Sequence, residues 1–432
     1  MAFRRVRGTR DFLPDEQRKR IWIMDRIKEV YERYGFEPLE SPALETFETL
    51  SNKQSQETLE EIYSFKDRGG RLIGLRFDLT VPLARIVGSN KSLPKPFKRY
   101  CISRAWRYER PQAGRYREFY QADADIVGVK GMEADAECLA CAVDALRSLG
   151  FKDFEIRLNN RKILTGLALD AGIPEEKVPE VFRALDKLEK IGEENVIREM
   201  RSAGITNEQI DKIMGFAAMS GDNYNILEAV KECGNEISLE GVVELERLLE
   251  LCGMYGIDKY IRVDLSLVRG LAYYTGPIFE VYVKGWESLG SCAGGGRYDE
   301  LIGLFGDDNP VTGISLGVDR IYEIMEKEDM FPEEMVRKVY IAPVGDVEQE
   351  SIEIAQKLRS SGINTELGLK DRSLSKQLSY CNSKDIRCVL IVGEKDLKDG
   401  KVTLRDLRSG EEKKINIDNI VKEIAMTGAQ ES

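Results

Sequence analysis

The sequence predicts an α+β fold: an antiparallel sheet flanked by helices, a helical insertion and a small C-terminal α/β domain. Three features of the 432-residue chain predict this arrangement. In the first part, short alternating segments indicate strands that do not alternate regularly with helices. From about residue 161 to 256 these segments vanish and charged helix-forming stretches dominate. Beyond residue 337, strand and helix patterns alternate, which is typical of a parallel or mixed sheet.

The first part contains two clear helices and several strands. One helix begins at Pro14, carries apolar residues such as Ile23 and Ile27 at helical spacing, and ends at Gly35. The second covers about residues 133–149. Strands are expected at residues 154–158, 261–267 and 278–283.

The same periodicities predict the insertion and the C-terminal part. Helices of the insertion are expected at residues 176–190, 193–202 and 237–251. A charged stretch near residues 326–337, which contains Pro332, has the composition of a linker. Beyond it we expect strands at residues 339–344, 365–369 and 388–392, and helices at residues 352–358 and about 374–380.

The chain contains no histidine. Hydrophobic residues make up 42% and charged residues 32%, the balance of an ordinary globular protein. Without an imidazole, Ser-His and Cys-His triads and His-ligated zinc are excluded. Any chemistry therefore depends on carboxylates, arginines, tyrosines, a bound metal or groups of the substrate.

The eight cysteines are scattered along the chain. Cys138 and Cys141 form one C-x-x-C pair inside a helical pattern. A zinc site needs a second pair, and a redox site needs a strand-to-helix setting. We therefore predict buried, reduced thiols.

The net charge of −11 argues against a protein that coats nucleic acid indiscriminately, but a local basic patch is enough for an RNA partner. Two candidate patches also fit a solvated face equally well: Lys91, Lys95, Lys98 and Arg99, and Arg4, Arg5, Arg7 and Arg10. No apolar stretch reaches the roughly 20 residues that span a bilayer, and the N-terminal residues lack the apolar core of a secretion signal. We expect a cytoplasmic protein with no membrane partner.

An arginine-rich segment at residues 104–121 has the composition of a phosphate-binding loop. Five arginines lie within fourteen residues, interrupted by Pro111 and Gly114. Guanidinium groups match phosphate geometry, and Phe119 suits stacking on a base. A salt-bridged surface hairpin explains the composition equally well.

Three further segments contain glycines and polar residues. Residues 267–277 place Arg269 before Tyr273 and Tyr274, which suits a pocket floor, although an ordinary strand turn is the simpler explanation. Residues 313–320 predict a strand that turns into a helix, with Arg320 near the helix start, where backbone N–H groups attract anions. Residues 293–299 predict a glycine-rich turn without the context of a dinucleotide site, and no P-loop pattern occurs.

Taken together, these segments closely resemble histidyl-tRNA synthetases, a family of class II aminoacyl-tRNA synthetases. Ser41-Pro42, the loop around Arg107, and Gly317 with Arg320 look like class II motifs 1, 2 and 3. Residues 267–276 and 293–299 look like the two peptides peculiar to the histidyl family, and residues 76–80 are similar to archaeal and eukaryotic members. Ala272 departs from the family, which commonly has an aspartate there.

The resemblance implies that the histidine carboxylate attacks the ATP α-phosphate, and that the adenylate then esterifies the 3′ end of the tRNA. Arg107 is implied to hold the α-phosphate and the substrate carboxylate, Arg320 the γ-phosphate, and Arg269 the charge developing at the α-phosphate. Arg107 and Arg269 thereby also belong to the histidine site. The other implied contacts are Glu109, Arg115 and Phe119 with ATP; Asp78, Leu79, Thr80 and Gln121 around the α-ammonium; and Asp125, Tyr273 and Tyr274 at the imidazole.

The resemblance also implies the partners and domains. Expected partners are L-histidine, ATP with Mg²⁺, tRNA(His) and a second copy of the chain, because motif 1 forms homodimers in this class; no resident metal site is expected. The implied domains are a catalytic domain at residues 1–160 and 257–330, an insertion at 161–256 and an anticodon-binding domain at 336–432. The rival interpretation is a non-catalytic regulatory subunit of ATP phosphoribosyltransferase. Such subunits share the catalytic fold but typically lack the anticodon module and the site arginines.

Overall fold

The computed structural model describes residues 3–52, 54–112, 114–268, 273–332, 338–369 and 372–427. The chain forms two compact units, Met1–Phe331 and Pro332–Ser432. In the described residues no helix combines the length and the apolar character needed to cross a membrane.

The first unit contains strands, α-helices and short 3-10 turns. The strands are β1 (Glu37–Pro38), β2 (Leu44–Thr46), β3 (Ser64–Lys66), β4 (Leu72–Leu75), β5 (Phe97–Trp106), β6 (Glu118–Val127), β7 (Phe154–Asn160), β8 (Ile261–Val263), β9 (Pro277–Val283), β10 (Ala293–Arg297) and β11 (Val311–Gly317). The α-helices are α1 (Pro14–Arg33), α2 (Phe47–Ser51), α3 (Gln56–Glu61), α4 (Thr80–Ser89), α5 (Glu133–Ser148), α6 (Arg161–Asp170), α7 (Val178–Leu185), α8 (Leu188–Ile191), α9 (Glu193–Ser202), α10 (Asn207–Ala217), α11 (Asn223–Cys233), α12 (Glu236–Met254), α13 (Asp299–Gly303) and α14 (Val318–Lys327). The 3-10 turns occur at Glu175–Lys177, Asp258–Tyr260 and Glu287–Leu289.

Eight strands form one large sheet in the order β1-β5-β6-β11-β10-β9-β7-β8. The pairings from β5 through to β7 are antiparallel, and only the two edge pairings, β1 with β5 and β7 with β8, are parallel. A separate three-stranded antiparallel sheet has the order β2-β4-β3. The predicted α+β class with a largely antiparallel sheet is confirmed.

Strand alternation gives the large sheet one apolar and one polar face. Successive residues of a strand point to opposite faces, so β6 presents Ala122, Ala124 and Ile126 on one side and Gln121, Asp123 and Asp125 on the other. The apolar face packs against α1, α5 and α12 in the main core. Helix α5 is rich in alanine and cysteine, and these small side chains let it lie between α1 and α12. Gln121 and Asp125, two of the predicted site residues, therefore lie on the opposite, polar face.

The second unit is a mixed α/β sheet with helices. Its strands are β12 (Val339–Val344), β13 (Thr365–Leu367), β14 (Cys388–Gly393), β15 (Lys401–Asp406) and β16 (Glu412–Asn416), in the order β13-β12-β14-β15-β16. Its helices are α15 (Glu348–Ser360), α16 (Leu374–Ser383), α17 (Glu394–Lys398) and α18 (Ile420–Thr427), with a 3-10 turn at Ile417–Asn419. Strand β12 pairs in parallel with β13 and β14, whereas β15 pairs antiparallel with β14 and with β16. Of the predicted possibilities, a parallel or a mixed sheet, the structure shows the mixed sheet.

Several local predictions were wrong for identifiable reasons. The glycine-rich segment predicted as a turn is strand β10, because a Cβ atom on Gly295 would lie 2.0 Å from the Gly313 carbonyl oxygen and only glycine permits this approach. The strand predicted at 261–267 ends at Val263, since Asp264 accepts the Ser266 N–H at 3.0 Å and forms a turn. The helix predicted at 176–190 is broken into a 3-10 turn, α7 and α8.

Candidate active site

A cavity of about 810 Å³ opens on the polar face of the large sheet. Its floor includes Gln121 of β6, Glu280 of β9 and Ser315 of β11. Its walls come from the β5–β6 loop, the segment between β9 and β10, the start of α14, and residues 185–190. The cavity thus lies between the sheet and the helical region that follows β7.

Arginines from two distant segments converge on this cavity. Arg107 and Arg115 come from the β5–β6 loop, and Arg320 comes from the first turn of α14. The Arg107 Nε donates to the Phe77 carbonyl oxygen at 2.9 Å, and one terminal nitrogen of Arg320 donates to the Ser291 carbonyl. Burial and the neighbouring Arg115 lower the pKa of the Arg320 guanidinium. Such a concentration of positive charge suits a polyphosphate.

Glu109 and Phe119 lie among these arginines. Glu109 Oε2 forms an ion pair with Arg115 Nε, and Glu109 Oε1 lies 3.9 Å from a terminal nitrogen of Arg107. The guanidinium carbon of Arg107 lies 5.4 Å from the centre of the Phe119 ring, within the range of a cation–π contact. An aromatic face and a carboxylate acceptor are therefore next to the arginine cluster.

Asp78 is a buried carboxylate at the N-terminus of α4. Its Oδ1 accepts the Val81 N–H at 3.0 Å, while its Oδ2 is buried and has no hydrogen-bond partner among the described residues. Burial raises the pKa of this carboxyl to about 6, and the Val81 N–H and the charge of Arg107 oppose the rise. Asp78 therefore has one acceptor oxygen available to a ligand.

Gln121 provides a second acceptor of the same kind. Its Nε2 donates to the Ser315 Oγ at 2.7 Å, which fixes the orientation of the amide. Its Oε1 is buried and has no hydrogen-bond partner within the described ranges. A cationic donor in the cavity would satisfy this oxygen.

Asp125 lies farther along the same face of β6 and is held through both carboxylate oxygens. A terminal nitrogen of Arg99 lies 2.7 Å from Oδ2, and the Tyr298 hydroxyl donates to Oδ1. Burial raises the pKa of the Asp125 carboxyl, and Arg99 and Tyr298 oppose the rise. The same nitrogen of Arg99 also donates to the Leu79 carbonyl at 3.0 Å, so Arg99 joins Asp125 to the residues after Asp78.

Tyr273, Tyr274 and Tyr298 form one aromatic group. The ring centres of Tyr273 and Tyr274 are 4.9 Å apart, and that of Tyr298 is 5.7 Å from Tyr273 and 6.5 Å from Tyr274. Because Tyr298 also holds Asp125, the tyrosines and the carboxylate belong to one buried cluster.

Gly313 makes room for this cluster. It lies opposite Asp125 in the β6–β11 register, and a Cβ atom there would lie 1.9 Å from Asp125 Oδ1. Only glycine leaves the carboxylate in place.

Comparison with known proteins places the chain in a family. A family model described as histidyl-tRNA synthetase matches residues 8–321, and one described as an anticodon binding domain matches residues 338–427. The histidine–tRNA ligase of Pyrococcus abyssi is 37% identical over 424 residues, which cover 97% of this chain and 98% of the relative. That of Aeropyrum pernix is 40% identical over 431 residues, which cover 97% of each.

A solved structure agrees with these matches. The crystal structure of histidyl-tRNA synthetase from Nostoc sp. PCC 7120 has a TM-score of 0.85 and 32% sequence identity, covering 99% of this chain and 100% of that one. The chain belongs to the histidyl-tRNA synthetase family. As a histidyl-tRNA synthetase family member it is an aminoacyl-tRNA ligase, which favours the catalytic interpretation over the regulatory one.

In this member of the histidyl-tRNA synthetase family, six of the predicted site residues lie together at the cavity. Those that line the cavity are Arg107, Glu109, Arg115, Phe119, Gln121 and Arg320. Within the described ranges the remaining ones do not contribute to its wall: Asp78, Leu79, Asp125 and Tyr274 are buried, and Thr80 and Tyr273 are partly exposed. Arg269 and Ala272 lie outside the described residues.

Sequence reasoning missed Arg99, Asp123, Tyr298 and Gly313. It assigned Arg99 to a basic surface patch, which is wrong, because Arg99 is only 1% exposed. The other members of that patch have partners too: Lys98 pairs with Glu137 and Lys91 with Asp307. The sequence signal that could have identified Asp123 is the alternation of Gln121, Asp123 and Asp125 along one strand. It was missed because β6 was not predicted as a strand.

Proposed function

We propose that the polar face of the large sheet binds histidine and ATP side by side and that the chain joins histidine to tRNA(His). The observation that carries this proposal is the separation of charge in the site. Arg107, Arg115 and Arg320 line the cavity, while Asp78 is buried just before α4 and Asp125 is buried in β6. Phosphates suit the first group, and the ammonium and imidazole of histidine suit the second.

The proposed reaction needs positioning and charge stabilisation but no protein base. An oxygen of the histidine carboxylate attacks the α-phosphorus of ATP, and the bond to the leaving pyrophosphate breaks. Arg107 neutralises the substrate carboxylate and the α-phosphate, Arg320 holds the γ-phosphate, and Arg269 stabilises charge developing at the α-phosphate. The lack of histidine in the chain therefore does not limit the chemistry.

The amino-acid contacts follow from the acceptors. In this proposal Asp78 Oδ2 and Gln121 Oε1 accept from the α-ammonium, next to Leu79 and Thr80; both oxygens are buried without a hydrogen-bond partner among the described residues. Asp125, with Tyr273 or Tyr274, contacts the imidazole. A side chain without imidazole donors would leave these buried groups unpaired, which costs a few kcal/mol and provides discrimination.

The ATP contacts involve the β5–β6 loop. Glu109 accepts from the adenine amino group, Phe119 stacks on the ring, and Arg115 contacts the phosphates. Since Glu109 is ion-paired with Arg115, adenine binding must share that carboxylate. Mg²⁺ enters with ATP as part of the substrate, and Glu280 is one of the carboxylates that line the cavity. One carboxylate plus substrate phosphates is a common Mg²⁺ environment.

The domains divide the work. Residues 1–160 and 257–330 form the catalytic domain, residues 161–256 the insertion, and residues 336–432 bind the anticodon of tRNA(His). We also propose that the protein acts in the cytoplasm.

A homodimer is supported by an exposed apolar face on the three-stranded sheet. Leu44 pairs with Leu75, and Phe65 pairs with Ile73, so these four side chains share one face. Leu44 and Phe65 are 46% and 47% exposed. An apolar face of this kind is typical of an interface. Sedimentation velocity of a Leu44→Lys, Phe65→Lys variant should show a smaller species; an unchanged sedimentation coefficient would place the interface elsewhere.

The test of the activity is ATP–pyrophosphate exchange with each of the twenty amino acids. We expect exchange with histidine alone, and its loss in an Arg107→Ala variant that retains the native circular dichroism spectrum. No exchange with any amino acid in the intact chain would support the regulatory alternative instead.

A further inference from the structure

Asp123 is a buried carboxylate that the contacts proposed above leave without a role. It lies between Gln121 and Asp125 on the polar face of β6 and is 2% exposed. Its Oδ1 is buried and has no hydrogen-bond partner among the residues that the structure describes. An unpaired buried carboxylate oxygen costs free energy unless a ligand donates to it.

The register of the sheet places Asp123 next to the buried cluster of Asp125, Arg99 and the three tyrosines. Asp123 lies opposite Cys101 in β5 and opposite Ser315 in β11, and Asp125 lies opposite Arg99 and Gly313. Both carboxylates thus stand next to a single guanidinium, that of Arg99. The charged, titratable and polar groups near Asp123 are Arg99 and Cys101 of β5, Asp125 of β6, Ser315 of β11 and Asp78 before α4, with Tyr31 of α1 on the other, apolar side of the sheet.

The charge balance of this cluster is negative. Arg99 neutralises one of the two carboxylates. Asp78 is balanced by the α-ammonium that it is proposed to meet, and Arg107 by the substrate carboxylate. Among the described residues, one negative charge is left in this buried cluster. Imidazolium has two N–H donors and one positive charge, whereas neutral imidazole has one donor and one acceptor.

We infer that Asp123 is a specificity-determining residue of the histidine site and that the site binds the side chain as imidazolium. The inference rests on the proposed function. The protonated ring donates to Asp123 on one side and to Asp125 on the other. The extra proton comes from the free histidine, from Asp123 itself or, at higher pH, from the solvent.

This arrangement has a defined pH dependence. Burial raises the pKa of the Asp123 carboxyl to about 7, with Arg99 opposing and Asp125 adding to the rise, and free histidine has a side-chain pKa of about 6.5. At pH 7.5 most of both partners is deprotonated and binding takes up most of one proton, and at pH 8.5 it takes up close to one. The dissociation constant for histidine should then rise about sevenfold to tenfold between pH 7.5 and 8.5, because a proton-linked equilibrium changes tenfold per pH unit at most.

The experiment is calorimetric titration of the full-length protein with histidine at pH 7.5 and 8.5, in two buffers with different ionisation enthalpies. The wild-type protein should take up close to one proton at pH 8.5. Asp123→Asn keeps the shape of the side chain, leaves Arg99 and Asp125 balanced, and should take up close to none, with less than a twofold change in dissociation constant. The analogue triazolylalanine is hardly protonated in this range. Its dissociation constant from the wild-type protein should therefore be nearly the same at pH 7.5 and 8.5.

A matched control is Asp135→Asn. Asp135 is also fully buried and paired with an arginine, Arg297, but it belongs to α5 on the other side of the sheet. This variant should lose stability yet keep the wild-type proton uptake. Equal uptake in wild type and Asp123→Asn, or no uptake in the wild-type protein, would overturn the inference. Absence of histidine-dependent pyrophosphate exchange in the wild-type protein would instead overturn the proposed function.

Discussion

Changing Tyr298 to Phe removes the hydroxyl that contacts Asp125 and leaves the aromatic ring in place. The hydroxyl of Tyr298 donates to Asp125 Oδ1, and the side chain is 2% exposed. A hydrogen bond to a charged group contributes about 1.5–3 kcal/mol. Because Arg99 still holds Oδ2, we expect the lower end of that range, which corresponds to about a tenfold rise in the KM for histidine. The assay is histidine-dependent pyrophosphate exchange, with the KM for ATP measured in parallel and expected to stay within twofold.

Tyr31→Phe provides the matched control for this prediction. Tyr31 of α1 is also fully buried, and its hydroxyl donates to the carbonyl of Ala122 in the same strand at 2.8 Å, from the apolar side of the sheet. Losing this bond should lower the free energy of unfolding by about 1 kcal/mol without changing the KM for histidine. If the two variants raise the KM for histidine equally, or neither does, Asp125 is not held for imidazole recognition in the way described.

Three further predictions test other parts of the molecule. Arg269→Ala should nearly abolish adenylate formation while the fold is retained, because its proposed contact forms with transition-state charge; near-normal exchange in a folded variant would remove it from the mechanism. A chain that ends at Phe331 should still form histidyl adenylate but charge tRNA(His) poorly, and unimpaired charging would refute an anticodon role for the C-terminal unit. Among the cysteines, Cys233 is exposed whereas burial raises the thiol pKa of Cys138 and Cys141, so Ellman's reagent should modify Cys233 quickly and these two only on unfolding; fast reaction of Cys138 in the native protein would contradict its burial.

The fold was largely predictable from periodicity, and the two central strands that escaped prediction did so for one shared reason. Helices α1 and α5 carry apolar residues at helical spacing, and their predicted and observed ends agree to within about two residues. Strands β5 and β6 escaped prediction because their polar faces carry Arg99, Asp123 and Asp125, which are unusual in the buried centre of a sheet. Arg99, Asp123 and Asp125 therefore belong to the candidate site and are also the reason why the alternation pattern does not predict these two strands.

The site was predictable only where a motif names the residue. Arg107 and Arg320 were assigned through the family resemblance, and both line the cavity. Arg99 lies outside every motif, and Tyr298 lies in the 293–299 peptide without an assigned role; both are linked to the site only by their contacts with Asp125 across the fold. Sequence spacing contains no information on such contacts until the strand register is known.

The acceptors without partners explain why the site takes histidine in particular. Asp78 Oδ2, Gln121 Oε1 and Asp123 Oδ1 are each buried without a hydrogen-bond partner among the described residues. Each such group costs about 1–3 kcal/mol in the free protein. In the proposed site an α-ammonium supplies donors to the first two and an imidazolium supplies one to the third, so histidine relieves all three costs together. In this proposal an amino acid with an apolar side chain satisfies only the ammonium contacts and leaves Asp123 Oδ1 unpaired, which places the discrimination at the side-chain end of the site.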